Sequence, residues 1–170
     1  MSLKYIVNRI FRIIISTDFP IPHKLRMSSL TRLGYSIGYQ SCVLAGCKFW
    51  VSDFQLGERS FINKYCVFSG YGTKDEGSQI IIGKDVMVGF NVTFCANGHL
   101  IGTKEHRAGD HICKPILVED GCWIGANVII LGGVTIKKGC IIAAGSIVTK
   151  DCEEDGLYAG NPAIRKKDLR

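Results

Sequence analysis

From Ile37 onward, an apolar residue followed by a small or polar one recurs every six positions. Leu56-Gly57, Ile62-Asn63 and Phe68-Ser69 form one set, and Ile82-Gly83, Val88-Gly89 and Phe94-Cys95 a second. Val118-Glu119, Ile124-Gly125, Ile130-Leu131, Ile136-Lys137, Ile142-Ala143 and Val148-Thr149 follow without a break. Four residues into these units stands a second small or β-branched residue, at Ser60, Cys66, Val86, Val92, Cys122, Val128, Val134, Cys140, Ser146 and Cys152. A period of six matches neither a helix nor a plain alternating strand. It fits one short strand plus a turn, with three such units closing a triangular coil. The apolar residue then points into the prism and the small residue sits near a corner. Gly or Asn takes the turn positions where φ can be positive. No single coil buries its own core, so coils must stack.

This period is the mark of a β-helix of hexapeptide repeats. It also accounts for two oddities of composition, 20 glycines and 8 cysteines in 170 residues. Gly57, Gly83, Gly89, Gly125 and Gly139 fall at repeat positions, and Cys66, Cys122, Cys140 and Cys152 occupy the small corner slot. There Cys behaves as a compact hydrophobe. No Cys-x-x-Cys pair occurs, and the thiols read as reduced ones of a cytoplasmic protein. The net charge of +6 suits an anionic ligand or surface. It does not indicate nucleic acid, since there is no RNP-like aromatic cluster, zinc-finger spacing or long basic run.

Before the repeats, residues 3–16 set Leu3, Ile6, Val7, Ile10, Phe11, Ile13 and Ile14 at helical spacing, with Lys4, Arg9 and Arg12 mostly off that stripe. Pro20 and Pro22 break the pattern, and a second helix over about 23–33 ends at Gly34. The charges make the first stretch too short and too polar to span a bilayer, and no small-residue cleavage site follows it. It reads as an amphipathic helix capping the main domain, with peripheral contact to an anionic membrane surface as the sharper alternative. The expected organisation is an N-terminal helical segment 1–34, a β-helix domain 35–153 and a basic C-terminal tail 154–170.

Two excursions interrupt the repeat. One lies between Phe68 and Ile82, around Tyr71-Gly72-Thr73-Lys74; the longer spans 97–115 and holds His99, His106 and His111. Loops ejected from a rigid stack are where binding and catalytic groups are expected.

The run Asn91-Val-Thr-Phe-Cys-Ala-Asn-Gly-His99 resembles the strand that leads into the catalytic histidine of hexapeptide-repeat O-acetyltransferases. Pro115-Ile-Leu-Val-Glu-Asp-Gly-Cys-Trp-Ile-Gly125, Ala143-Ala-Gly-Ser-Ile-Val-Thr-Lys-Asp151 and Gly160-Asn-Pro-Ala163 complete the resemblance, which covers roughly residues 37–165. The branch is that of galactoside and maltose, xenobiotic and polysaccharide O-acetyltransferases. It implies an all-β solenoid, a left-handed parallel β-helix that departs from the right-handed crossover rule. It also implies a homotrimer, with acetyl-CoA as co-substrate between neighbouring prisms and no metal requirement.

On this resemblance His99 matches the general base that takes the proton of an acceptor hydroxyl. Asn63 matches an asparagine facing the reaction centre, and Trp123 a tryptophan walling the site. Gly125, Ala126, Ala144, Thr149 and Lys150 match positions that contact CoA, with Arg165 and Lys166 in range of its phosphates. The plainer alternatives are a loop histidine, a turn asparagine, a structural aromatic and a solvated basic terminus. Galactoside-type members carry acidic acceptor contacts where this chain has Ser69-Gly70-Tyr71 and a longer loop. Tyr71 therefore stands as an acceptor contact in a pocket of different design. The short basic N-terminal segment looks more like the saccharide and polysaccharide enzymes. Serine or antibiotic acetyl transfer is the nearest alternative. A γ-type carbonic anhydrase, for which His106 and His111 have a suitable spacing, lacks an upstream histidine within the repeats. A non-catalytic scaffold is the remaining reading.

Overall fold

The computed structural model describes residues 3–18 and 20–170. Met1, Ser2 and Phe19, part of the expected 1–34 segment, lie outside the described residues. Helix α1 spans Leu3–Ser16 and helix α2 spans His23–Arg32, followed by Gly34 at φ 94°. The chain then visits three parallel sheets in rotation. Sheet 1 takes Ser36–Ile37, Asp53–Leu56, Gln79–Ile82, Ile116–Val118 and Thr135–Ile136. Sheet 2 takes Cys42–Val43, Phe61–Ile62, Met87–Val88, Trp123–Ile124, Ile141–Ile142 and Gly156–Ala159. Sheet 3 takes Lys48–Trp50, Val67–Ser69, Thr93–Cys95, Ile129–Leu131 and Ile147–Val148. In the unbroken stretch each residue pairs with the one 18 positions on, as in Leu117 with Thr135, Trp123 with Ile141 and Ile129 with Ile147. Three hexapeptides therefore make one circuit, as the period requires.

The apolar position of every repeat unit points inward. Leu56, Ile62, Phe68, Ile82, Val88, Phe94, Val118, Ile124, Ile130, Ile136, Ile142 and Val148 are all buried, and so are the ten corner residues from Ser60 to Cys152. On sheet 3, Phe49, Phe68 and Phe94 stack face to face at 4.6 and 4.9 Å between ring centroids. Aromatic pairs of this kind add about 0.5–1.5 kcal/mol beyond their buried area. The glycines serve two distinct needs. Gly125 lies against the next circuit, where a Cβ would come within 2.5 Å of the Ala144 nitrogen. Gly121 has open space but sits at φ 70°, three residues after its unit's apolar residue. Tyr65, Asp85, Asn91 and Asn127 hold the same left-handed turn position.

The remaining segments close the two ends of the stack. Helix α1 meets the strand Lys48–Trp50, where the Arg12 guanidinium donates to the Phe49 carbonyl. Its inward residue is Ile15, whereas Ile6, Ile10 and Ile13 are exposed. The contact thus engages only the C-terminal turns of α1. Among the described residues no helix is long and apolar enough to cross a membrane. At the other end, Ile164–Asp168 folds back antiparallel on Gly156–Ala159, so the expected basic tail is a hairpin strand. All eight cysteines are free. Burial pushes the Cys122 and Cys152 thiols up to about 12.

Candidate active site

Both excursions leave the stack at the edge where sheet 3 passes to sheet 1. Residues 97–113 form a two-stranded antiparallel arm, Asn97–Ile101 against Ala108–Cys113. Asn97 anchors its base by accepting the Ser69 hydroxyl at 2.7 Å. The shorter excursion braces the returning strand: the Cys113 thiol donates to the Tyr71 carbonyl, and a Cβ on Gly77 would lie 2.8 Å from the Cys113 oxygen. Glu76, from the same loop, has its carboxyl held below its ordinary range, chiefly by the Thr73 backbone N–H.

His99 sits on the first strand of the arm and is exposed. Its Nδ1 lies 2.8 Å from the Gly109 carbonyl oxygen. A carbonyl can only accept, so Nδ1 carries the proton in this contact. In the neutral ring that leaves Nε2 as a lone pair, the form a general base needs. His111 is the cross-strand neighbour, with ring centroids 5.7 Å apart and planes at 81°. His106 lies in the turn between the strands. Beside His99 opens a cleft of about 280 Å³, lined by Asn97, Gly98, His99, Ile112, Lys114 and Leu131 among others. A Cβ on Gly98 would meet nothing within 4 Å, so this face of the cleft is open. Asn97 falls within the motif that ends at His99 but was given no role, and Lys114 went unmarked because nothing in its spacing distinguishes it. Its only signal is adjacency to the arm's end.

The expected site residues divide between two edges of the chain. Tyr71, His99, Thr149 and Lys150 share the edge from sheet 3 to sheet 1. Asn63, Gly125, Ala126 and Ala144 share the edge from sheet 2 to sheet 3, with Trp123 projecting from sheet 2 beside them at 58% exposure. The Asn63 side-chain oxygen accepts the Lys64 backbone N–H at 2.8 Å, which leaves its amide N–H groups as donors. Arg165 lies at the far end of sheet 2. Its guanidinium donates to Asp168 at 2.8 Å and to the carbonyls of Glu153 and Glu154 at 3.2 and 3.0 Å, while Lys166 beside it is exposed. Among the described residues no group of three or more His, Cys, Asp or Glu is placed to hold a metal ion.

Residues 115–150 match the family described as bacterial transferase hexapeptide (six repeats). A putative acetyltransferase of Schizosaccharomyces pombe is 40% identical over 116 residues, 67% of this chain and 53% of that protein. A galactoside O-acetyltransferase of Escherichia coli is 39% identical over 83 residues, 49% of this chain and 41% of that one. Among solved structures, a hexapeptide-repeat containing acetyltransferase of Vibrio cholerae O1 biovar eltor, complexed with acetyl coenzyme A, is similar at a TM-score of 0.78. It is 28% identical, and the match covers 98% of this chain and 87% of that one. The chain spans about half the length of the curated relatives it matches. Residues 115–150 carry the repeats of that transferase family, and over nearly its whole length the chain is similar in fold to a hexapeptide-repeat acetyltransferase.

Proposed function

We propose that the protein is an acetyl-CoA-dependent O-acetyltransferase that uses His99 as general base on a saccharide hydroxyl. The observation that carries this reading is the Nδ1 contact of His99 with the Gly109 carbonyl, which leaves the Nε2 lone pair free to accept a proton. Nε2 takes the hydroxyl proton as the oxygen attacks the thioester carbonyl carbon. The carbon–sulfur bond then breaks, and the departing thiolate recovers that proton from the imidazolium. Neither a covalent enzyme intermediate nor a metal enters this sequence. Backbone N–H groups near Gly125 and Ala126 are suited to meet the transient oxyanion.

The division of the residues between two edges supports a site completed by a second copy. His99 of one prism then faces Asn63, Trp123, Gly125, Ala126 and Ala144 of its neighbour, as a homotrimer permits. In this reading the three-sheet rotation is a left-handed β-helix, and the eight free thiols suit the cytoplasm. Exposed Ile6, Ile10 and Ile13 beside Arg9 suit peripheral contact with an anionic membrane surface.

Thiol release from acetyl-CoA across a panel of saccharides, serine and antibiotics tests the reaction. Release with saccharides is expected, and its absence with every hydroxyl acceptor overturns the reading. Mixing His99→Ala and Asn63→Ala chains tests the shared edge. Mixed assemblies should regain turnover that neither parent shows, whereas no recovery contradicts a site built from two copies.

A further inference from the structure

Arg26 is the anomaly of the molecule. It lies on α2 and is only 4% exposed, yet its Nη1 has no hydrogen-bond partner among the described residues. A buried cation with a donor left unpaired is costly, and an anion that accepts from it relieves that cost. Arg26 lines a pocket of about 270 Å³ with Asp18, His23, Leu44, Ala45 and Lys64. The start of α2 contributes to the same pocket through His23. No side chain caps this terminus and no acidic residue stands in its first turn, so its N–H groups and dipole also favour an anion. Asp18 lines the same pocket and feels the Arg26 charge, but its carboxylate accepts from the Tyr65 hydroxyl at 2.7 Å and pairs with Lys64 at 3.5 Å, and Arg26 Nη1 stays without a hydrogen bond among the described residues. Arg26 and Lys64 against Asp18 leave the pocket with an excess positive charge.

Its position suggests what binds there. Leu44 and Ala45 precede Asn63 and Lys64 by one circuit on the edge from sheet 2 to sheet 3, as the Leu44 N–H bond to the Ile62 carbonyl shows. The residues matched to CoA contacts, Gly125, Ala126 and Ala144, lie on the same edge in the opposite direction from Asn63. We infer that the Arg26 pocket holds an anionic group of the acceptor, a carboxylate or a phosphate, so that the acceptor is an acidic saccharide. This rests on the acetyl-transfer reading above, but the binding it requires is measurable without turnover.

The test is calorimetric titration of the full chain, without acetyl-CoA, using glucuronate, glucose 6-phosphate and glucose as probes. At least one anionic sugar should bind about tenfold or more tightly than glucose, and Arg26→Met should remove that margin. The two anionic probes distinguish carboxylate from phosphate. The same preference should appear in kcat/KM for acetyl transfer. Equal binding of charged and neutral sugars, or a margin that survives in Arg26→Met, overturns the inference. So does an equal loss of acetyl-CoA affinity, which would assign the pocket to the nucleotide. A smaller assembly for the variant would overturn it too, by assigning the missing anion to a second copy. Arg26→Met should melt at or above the wild-type temperature without ligand, since it removes a buried donor left unpaired; a lower Tm contradicts the view that Nη1 lacks a partner. Should the variant not fold, wild-type Tm in glucose 6-phosphate against chloride at equal ionic strength decides: a rise supports the pocket and no rise overturns it.

Discussion

The three sheets and the arm at 97–113 obey opposite rules. In the sheets, every repeat unit turns an apolar residue to zero or near-zero exposure, and even thiols sit so deep that burial raises Cys122 and Cys152 to about 12. On the arm, His99, Leu100, Ile101 and His111 are all exposed, and Ile101 is 90% exposed. The inward positions of the sheets cannot change a side chain without loss of packing. The arm has almost none to lose. On the proposed function, the proton transfer falls where the repeat stops, while the stack beneath places the arm that carries His99.

Substitutions divide the two regions by size of effect. Phe68→Ala, in the middle of the phenylalanine stack, should cost about 3–5 kcal/mol by urea denaturation. A cost below 1 kcal/mol would mean the stack is not the source of stability. Gly125→Ala forces a Cβ against the Ala144 backbone and should cost about 1–3 kcal/mol, with reduced acetyl-CoA affinity if this edge holds the co-substrate. Gly121→Ala meets no atom and tests conformation alone, at about 1 kcal/mol from its positive φ. An equal effect at the two glycines would erase the distinction between close approach and backbone freedom. Ile101→Ser on the arm should change stability by less than about 0.5 kcal/mol. A larger loss would show that the arm carries packing after all.

The same contrast explains what the sequence could and could not reveal. A six-residue period states the inward position of each unit from Leu56 to Val148, because one geometry repeats and each circuit reads the same code. Helices α1 and α2 were legible from apolar spacing and from Gly34, but the buried face of α1 was not: Ile15 turns inward, outside the expected stripe, because tertiary contact selects the face. His99 stood out through its flanking motif and its place in a break. Lys114 carries no pattern, and Asn97, though within that motif, shows its place in the cleft only through the fold of the arm. Arg26 was hidden for a related reason. An arginine in a short polar helix looks like a solvated charge until the packing of α2 buries it.

That the stack supports and the arm acts follows from the proposed function. It is tested most directly by measuring acetyl-CoA-dependent turnover and thermal unfolding on the same preparation of His99→Ala. Turnover should fall by about 10²–10⁴-fold, the usual contribution of a positioned acid–base group, while Tm stays within about 2 °C of wild type. Undiminished turnover, or a fall in activity matched by loss of the folded state, would contradict it.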